Sequence, residues 1–212
     1  MLIKDIMTRN VITVPSKTSI GDAQKLMKEH NLRRLPVVDD GQLMGLITLD
    51  RLERVKPKSD APLLWQITYL ISHTNVADVM RKDMVTVKPT DTVEQALEKA
   101  QSARVGTLIV VNRGKIVGIC TTNDFFYKIV NPTLGLGVTG TRILVSGDNI
   151  GQTAQEIISC INRAGIEIKV LWAIPAAKGK QKDIIIHLDT KDAKKALKEL
   201  EQLGCCATVL AR

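Results

Sequence analysis

Aromatic side chains are scarce in this 212-residue chain: two Trp, two Tyr and two Phe make up 3% of it. Stacking platforms for single-stranded nucleic acid are therefore almost absent. Charge does not fill the gap. The net charge is +8, but residues 1–60 carry 11 basic and 8 acidic side chains, residues 61–140 carry 8 and 6, and residues 141–212 carry 11 and 8. So even an excess is not the concentrated basic face of a nucleic-acid binder, and nucleic acid is not an expected partner. Cysteine is sparse too. Cys120, Cys160, Cys205 and Cys206 form no C-x-x-C pair, so zinc and structural disulfides are not expected and buried free thiols are. Long apolar runs are missing: residues 61–77 are interrupted by Gln66, Ser72, His73 and Asn75, and no stretch reads as a membrane span. The opening MLIKDIMTRN has no secretory apolar core, so a cytoplasmic protein is expected. With only His30, His73 and His187, no Ser–His–Asp or Cys–His order and no Walker loop, no catalytic residue, metal or required cofactor is expected.

What is present is a repeat. Displaced by 73 positions, Asp5 falls on Asp78, Met7 on Met80, Thr13-Val14 on Thr86-Val87 and Ala23 on Ala96. Farther along, Leu35 meets Leu108, Val37-Val38 meet Val110-Val111, Gly41 and Gly45 meet Gly114 and Gly118, and Thr48 meets Thr121. Two copies of one unit of about 55 residues explain this without a gap. Each copy reads as a helical turn, a short extended segment, a helix and a hairpin, closed by a second helix. The first helix starts at Ser19-x-x-Asp22 in one copy and at the capping box Thr92-x-x-Gln95 in the other. The hairpins turn at Gly41 and Gly114. Such a β-α-β-β-α unit is too small to bury its own apolar face, so the copies should pack as a pseudo-twofold pair.

The runs D-I-M…V-I-T-V…RRLPVVDDGQLMGLIT and D-V-M…MVTV…TLIVVNRGKIVGICTTND resemble a tandem pair of cystathionine-β-synthase (CBS) domains, the Bateman module. The resemblance covers about residues 1–130. It implies a non-enzymatic regulatory sensor that takes an adenosine-containing ligand (AMP, ADP, ATP or S-adenosylmethionine) in a cleft between the copies. Carried over, Thr121 and Asp124 of Gly118-Ile119-Cys120-Thr121-x-x-Asp124 match the ribose and phosphate motif, the carboxylate accepting from the vicinal diol. Arg104 would face the phosphates, and Val85, Thr86 and Ile109 would hold adenine. The first copy departs from the pattern: its aspartate, Asp50, follows Thr48 by two residues, and Arg51 stands where the ribose carboxylate should. Its site would be built from Ile12, Thr13, Arg33, Arg34, Thr48 and Asp50, degenerate or suited to another ligand. An interaction scaffold with empty pockets would share this fold, and so would a nucleotide-hydrolysing enzyme; binding separates the first from a sensor, and ATP turnover lost in Asp124→Ala would reveal the second.

The segment GLGVTG at 135–140 spells G-x-G-x-x-G, but it precedes a strand rather than a helix, so it reads as a flexible linker. Beyond it, strand RILV, a helix over 151–164, strand IEIKVLWAI, a basic turn, strand DIIIHL, a helix over 191–203 and strand CATVL give the ferredoxin-like β-α-β-β-α-β order. Asp148-Asn149-Ile150-Gly151 resembles an ACT domain, which implies a small effector such as an amino acid held by Asp148, Asn149 and Gly151. The order of the parts resembles the acetoin-utilisation accessory protein family. The expected architecture is α+β: CBS repeat 1 (1–56), a connection (57–75), CBS repeat 2 (76–130), a linker (131–141) and an ACT-like domain (142–212). A homodimer and an unnamed regulated protein are the expected partners, besides the small ligand.

Overall fold

A computed structural model describes residues 1–55, 63–146, 150–175 and 182–210. The chain forms two compact units, Met1–Lys128 and Ile129–Arg212.

In the first unit, copy one consists of α1 (Ile3–Ile6), α2 (Ile20–Glu29), β1 (Arg34–Asp39), β2 (Gln42–Thr48) and α3 (Leu49–Glu53). The connection contributes α4 (Leu64–His73). Copy two follows as α5 (Val76–Val79), β3 (Thr86–Val87), α6 (Val93–Ser102), β4 (Thr107–Asn112), β5 (Lys115–Thr121) and α7 (Thr122–Phe125). The caps read from sequence are formed. Ser19 Oγ accepts from Asp22 N–H at 3.1 Å. Thr92 and Gln95 exchange hydrogen bonds of 3.0 and 3.2 Å. Both hairpins turn through two residues of positive φ, Asp40-Gly41 and Arg113-Gly114, the geometry that matches the twist of the flanking strands. The closing helix of copy two is shorter than its pattern suggests. Only 122–125 are α-helical, and Phe126–Val130 continue as a π-helix.

The copies do not fold as separate beads. Residues 1–8 of copy one lie on copy two, with backbone bridges Leu2↔Thr92 and Thr8↔Ile119. The matching residues of copy two lie on copy one, through Ser19↔Asn75 and Leu46↔Arg81. Val76 is thus buried in the core formed by Ile20, Ala23, Met27, Leu35, Val37, Ile47 and Leu52. Ile3 and Ile6 are equally buried, and burying an isoleucine is worth about 1.5–3 kcal/mol. The repeated glycines mark the crossings. A Cβ at Gly45 would lie 2.8 Å from the Arg81 carbonyl and 2.5 Å from Met80 Sδ, and one at Gly118 would meet Met7 Sδ at 2.5 Å. Only a residue without a side chain lets the exchanged turn approach so closely.

The second unit runs α8 (Asn131–Thr133), β6 (Thr141–Ser146), α9 (Ile150–Arg163), β7 (Ile168–Pro175), β8 (Lys182–Leu188), α10 (Lys194–Gln202) and β9 (Cys206–Leu210). Its antiparallel sheet has the strand order β7-β8-β6-β9. Ile143, Val145, Ile184, Ile186 and Leu188 of the sheet pack with Ile157, Ile161, Ala196 and Leu200 of the two helices. The glycine-rich segment is not a free spacer. Gly140, at φ +133°, leaves only 2.1 Å between a built Cβ and the Leu188 carbonyl, and a Cβ at Gly135 would meet His187 Nδ1 at 3.2 Å. His187 is fully buried, and its Nε2 donates to the Thr139 carbonyl at 3.1 Å. These glycines serve close packing against β8.

Gly45→Ala is expected to cost about 1–3 kcal/mol, because the Arg81 carbonyl is backbone and cannot give way. Gly118→Ala should cost less, since the Met7 side chain can turn aside. Thermal melts of both variants check the order.

Candidate functional site

Two crevices open in the first unit where the exchanged turns meet the hairpins. The larger, about 490 Å³, is lined by Thr8, by Asn10, Val11 and Ile12, by the four residues 31–34 that lead into β1, and by Ile119, Thr121 and Asp124. The smaller, about 150 Å³, is lined by Arg81, by Asp83, Met84 and Val85, by the four residues 104–107 that lead into β4, and by Leu46 and Thr48. Each is the other displaced by 73 positions. Each takes its extended segment from one copy and its strand-to-helix corner from the other, as the crossed turns require.

The residues expected to share a site within one copy are therefore divided. Val85, Arg104 and Ile109 line the smaller crevice, whereas Thr121 and Asp124 line the larger, together with Ile12, Arg33 and Arg34. Thr48 belongs to the smaller crevice, and Arg34 reaches both. Thr13 and Thr86 are exposed and line neither. Asp50 also lines neither, and instead accepts from Arg33 Nη2 at 3.1 Å on the surface. Asp148 and Asn149 lie outside the described residues, and Gly151 falls in the first turn of α9. Thr8, Asn10 and Lys128 in the larger crevice, and Arg81 and Thr107 in the smaller, are additions to the sequence reading. The offset of 73, applied across copies, was the signal that leads to most of them.

Asp124 is the most constrained group in the larger crevice. It is buried, and four donors meet its two oxygens. Oδ2 accepts from the Thr121 N–H and the Thr121 hydroxyl, both at 2.8 Å. Oδ1 accepts from Lys128 Nζ at 2.8 Å and from the Thr8 hydroxyl at 3.3 Å. Lys128 Nζ also donates to the Ile6 carbonyl at 2.6 Å, which ties the helix to the exchanged turn. Burial works against the charged carboxylate. The hydrogen bonds from Lys128 and Thr121, with the lysine's charge, outweigh it and hold the Asp124 carboxyl below its ordinary value. Burial and the nearby aspartate push the Cys120 thiol up to about 12, so this cysteine is not a nucleophile at neutral pH. The surroundings of Asp124 are otherwise cationic and amphipathic: Arg33, Arg34 and Lys128 face Val11, Ile12, Pro36 and Ile119.

In the first copy the corner is inverted. Arg51 occupies the place of Asp124, and there the Thr48 hydroxyl accepts from the Arg51 N–H at 3.3 Å. In the smaller crevice Asp83 accepts from Arg81 Nε at 3.1 Å and from its Nη2 at 2.5 Å. That pairing takes its carboxyl down to about 2.

A group whose folded pKa is depressed contributes stability above its unfolded value and loses it as pH falls. Asp124→Asn should therefore cost about 1–3 kcal/mol at pH 7. The gap from the unmodified protein should narrow as pH drops below about 4, where carboxylates take up protons. Urea unfolding at pH 7 and pH 3 measures both.

Comparison with known proteins identifies the first unit. The CBS domain family model matches residues 3–57 and 76–131, just over half of the chain. The CBS domain-containing protein YhcV of Bacillus subtilis is 32% identical over 138 residues, covering 65% of this chain and 92% of that protein. The chain spans about a quarter of the length of the curated dehydrogenase and acetyltransferase that it also matches. Among solved structures, one assigned to acetoin utilization (AcuB) from Vibrio cholerae superposes with a TM-score of 0.52 at 26% identity, over 62% of this chain and 91% of that one. The CBS domain pair of protein MJ0100, solved in complex with 5′-methylthioadenosine and S-adenosyl-L-methionine, gives a TM-score of 0.51 at 25% identity, over 62% and 97%. With both copies matched and both crevices formed between them, the chain belongs to the CBS domain family, as a tandem pair.

Proposed function

We propose that this protein is a non-enzymatic sensor that binds a phosphorylated adenosine in the larger crevice. The observation that carries the reading is the convergence of Thr121 and Asp124 from one copy with Ile12, Arg33 and Arg34 from the other, around a cavity of about 490 Å³, within the range of small-molecule sites. A ribose diol would donate to Asp124 Oδ1 in place of Lys128 and Thr8. The displaced ammonium, with Arg33 and Arg34, would then meet the phosphate. The surface ion pair between Arg33 and Asp50 is no obstacle, since exposed pairs of this kind are worth little. Val11, Ile12 and Pro36 offer apolar walls for adenine. The solved MJ0100 pair supports an adenosine-type ligand. The charge of this crevice favours an anionic nucleotide over a cationic sulfonium.

Several observations support regulation without turnover. No histidine lines either crevice, and Cys120 is buried beside the larger one. The matches to enzymes extend over about a quarter of their length. Among the described residues no helix is long and apolar enough to cross a membrane. In our reading the protein is cytoplasmic and homodimeric and controls a partner protein, with the second unit acting as an ACT-like domain for an additional small effector. Nucleotide binding would act by favouring one of two dimer arrangements, which requires unequal affinity for the two.

AMP or ATP a hundredfold above its dissociation constant should stabilise the unmodified protein by about 3 kcal/mol, read as a rise in melting temperature. S-adenosylmethionine should stabilise it less. Asp124→Ala should abolish the effect of all three. A melting temperature indifferent to every adenosine compound would favour a scaffold with empty pockets.

A further inference from the structure

The smaller crevice repeats the backbone plan of the larger one with a different set of donors. Where the larger has Thr8 and Asn31, the smaller has Arg81 and Arg104, and where the larger has the Asp124 carboxylate, the first copy carries Arg51. Arg34 joins from the opposite side, its Nη2 only 3.6 Å from a Cβ built on Gly106. Three guanidinium groups thus line a cavity of about 150 Å³, well under the size of ordinary small-molecule sites.

We propose that this crevice is a compact oxyanion site, which takes phosphate or pyrophosphate with no nucleoside attached. Charge and donor chemistry both point there. Asp83, the carboxylate in the lining, is held by Arg81, which leaves Arg34 and Arg104 with no carboxylate partner among the described residues. Guanidinium groups present forked donors that match phosphate oxygens. The lining also holds an orphan: Thr107 is more than nine-tenths buried, and its Oγ1 has no hydrogen-bond partner. A buried hydroxyl without a partner is uncommon in folded proteins, and an oxyanion seated against it would supply an acceptor. A ribose meets only Asp83, already paired with Arg81 through two nitrogens, and the crevice is small for a nucleoside. The site shares Arg34 with the nucleotide reading but neither Asp124 nor Lys128, so the two readings can fail separately.

Isothermal titration of the full chain with inorganic phosphate and with pyrophosphate tests the proposal. The unmodified protein should bind pyrophosphate at one site per chain. Arg104→Gln, a change at an exposed residue, should weaken that binding at least tenfold. Thr107→Val, which removes the hydroxyl and keeps the shape, should weaken it severalfold. Arg33→Gln, in the larger crevice only, should leave it unchanged, and adenosine should not compete. Absence of binding at millimolar pyrophosphate overturns the proposal. So does binding that survives Arg104→Gln, or binding lost in Arg33→Gln, which would place the anion in the larger crevice. Failure of AMP to bind, with pyrophosphate binding intact, would remove the nucleotide reading alone.

Discussion

The first unit rests on a crossed clasp: the helical turn that opens each copy is laid along the other copy's sheet. Ile3 and Ile6 are buried through one crossing and Val76 through the other. The backbones pair at 2.9 Å in both directions, Thr8 with Ile119 and Arg81 with Leu46. Two glycines without side chains keep the strands open to that approach. The crevices are a by-product of the crossing. Each is bounded by a turn of one copy and the strand-to-helix corner of the other, so neither copy holds a complete site.

Duplication gave two equivalent corners, and single residues have driven them apart electrostatically. At one corner an acid at the third helical position accepts from the Thr121 N–H and hydroxyl and draws Lys128 onto itself. At the other an arginine sits at that position, and the threonine becomes the acceptor instead. The first arrangement leaves a carboxylate held ready and anionic beside three cations. The second crevice also holds three cations, all guanidinium groups, with its carboxylate Asp83 paired to Arg81, in a smaller volume. A shared backbone plan thus presents two unlike surfaces, and Arg34 lines both.

Much of this was legible in the residues. The repeat, the capped helices, the D-G and R-G hairpin turns and the alternation of elements in the second unit are local signals, and each produces its element within a few positions. The family follows from those motifs in their order. The grouping of the site did not. Arg104 and Asp124 lie 20 positions apart in one copy and read as neighbours, yet they line different crevices, because which turn crosses to which sheet is a tertiary choice that local periodicity does not encode. Lys128, four residues after Asp124, was readable as a helical ion pair. The Thr8 contact was not, as it spans 116 positions. The glycines at 135–140 misled for a related reason. In sequence they suggest freedom, whereas Gly135 and Gly140 lie so near His187 and Leu188 that a Cβ would crowd them.

The clasp also bears on how the chain reaches this structure. The bridges Leu2–Thr92 and Thr8–Ile119 join residues 90 and 111 positions apart, and contacts of such long range carry a loop-closure cost that slows folding. During synthesis, residues 2–8 emerge well before the strand that receives them, so their two isoleucines stay uncovered until β5 is made. The segment made early is among the last to be seated, and the interval between is when the nascent module is most open to mispairing.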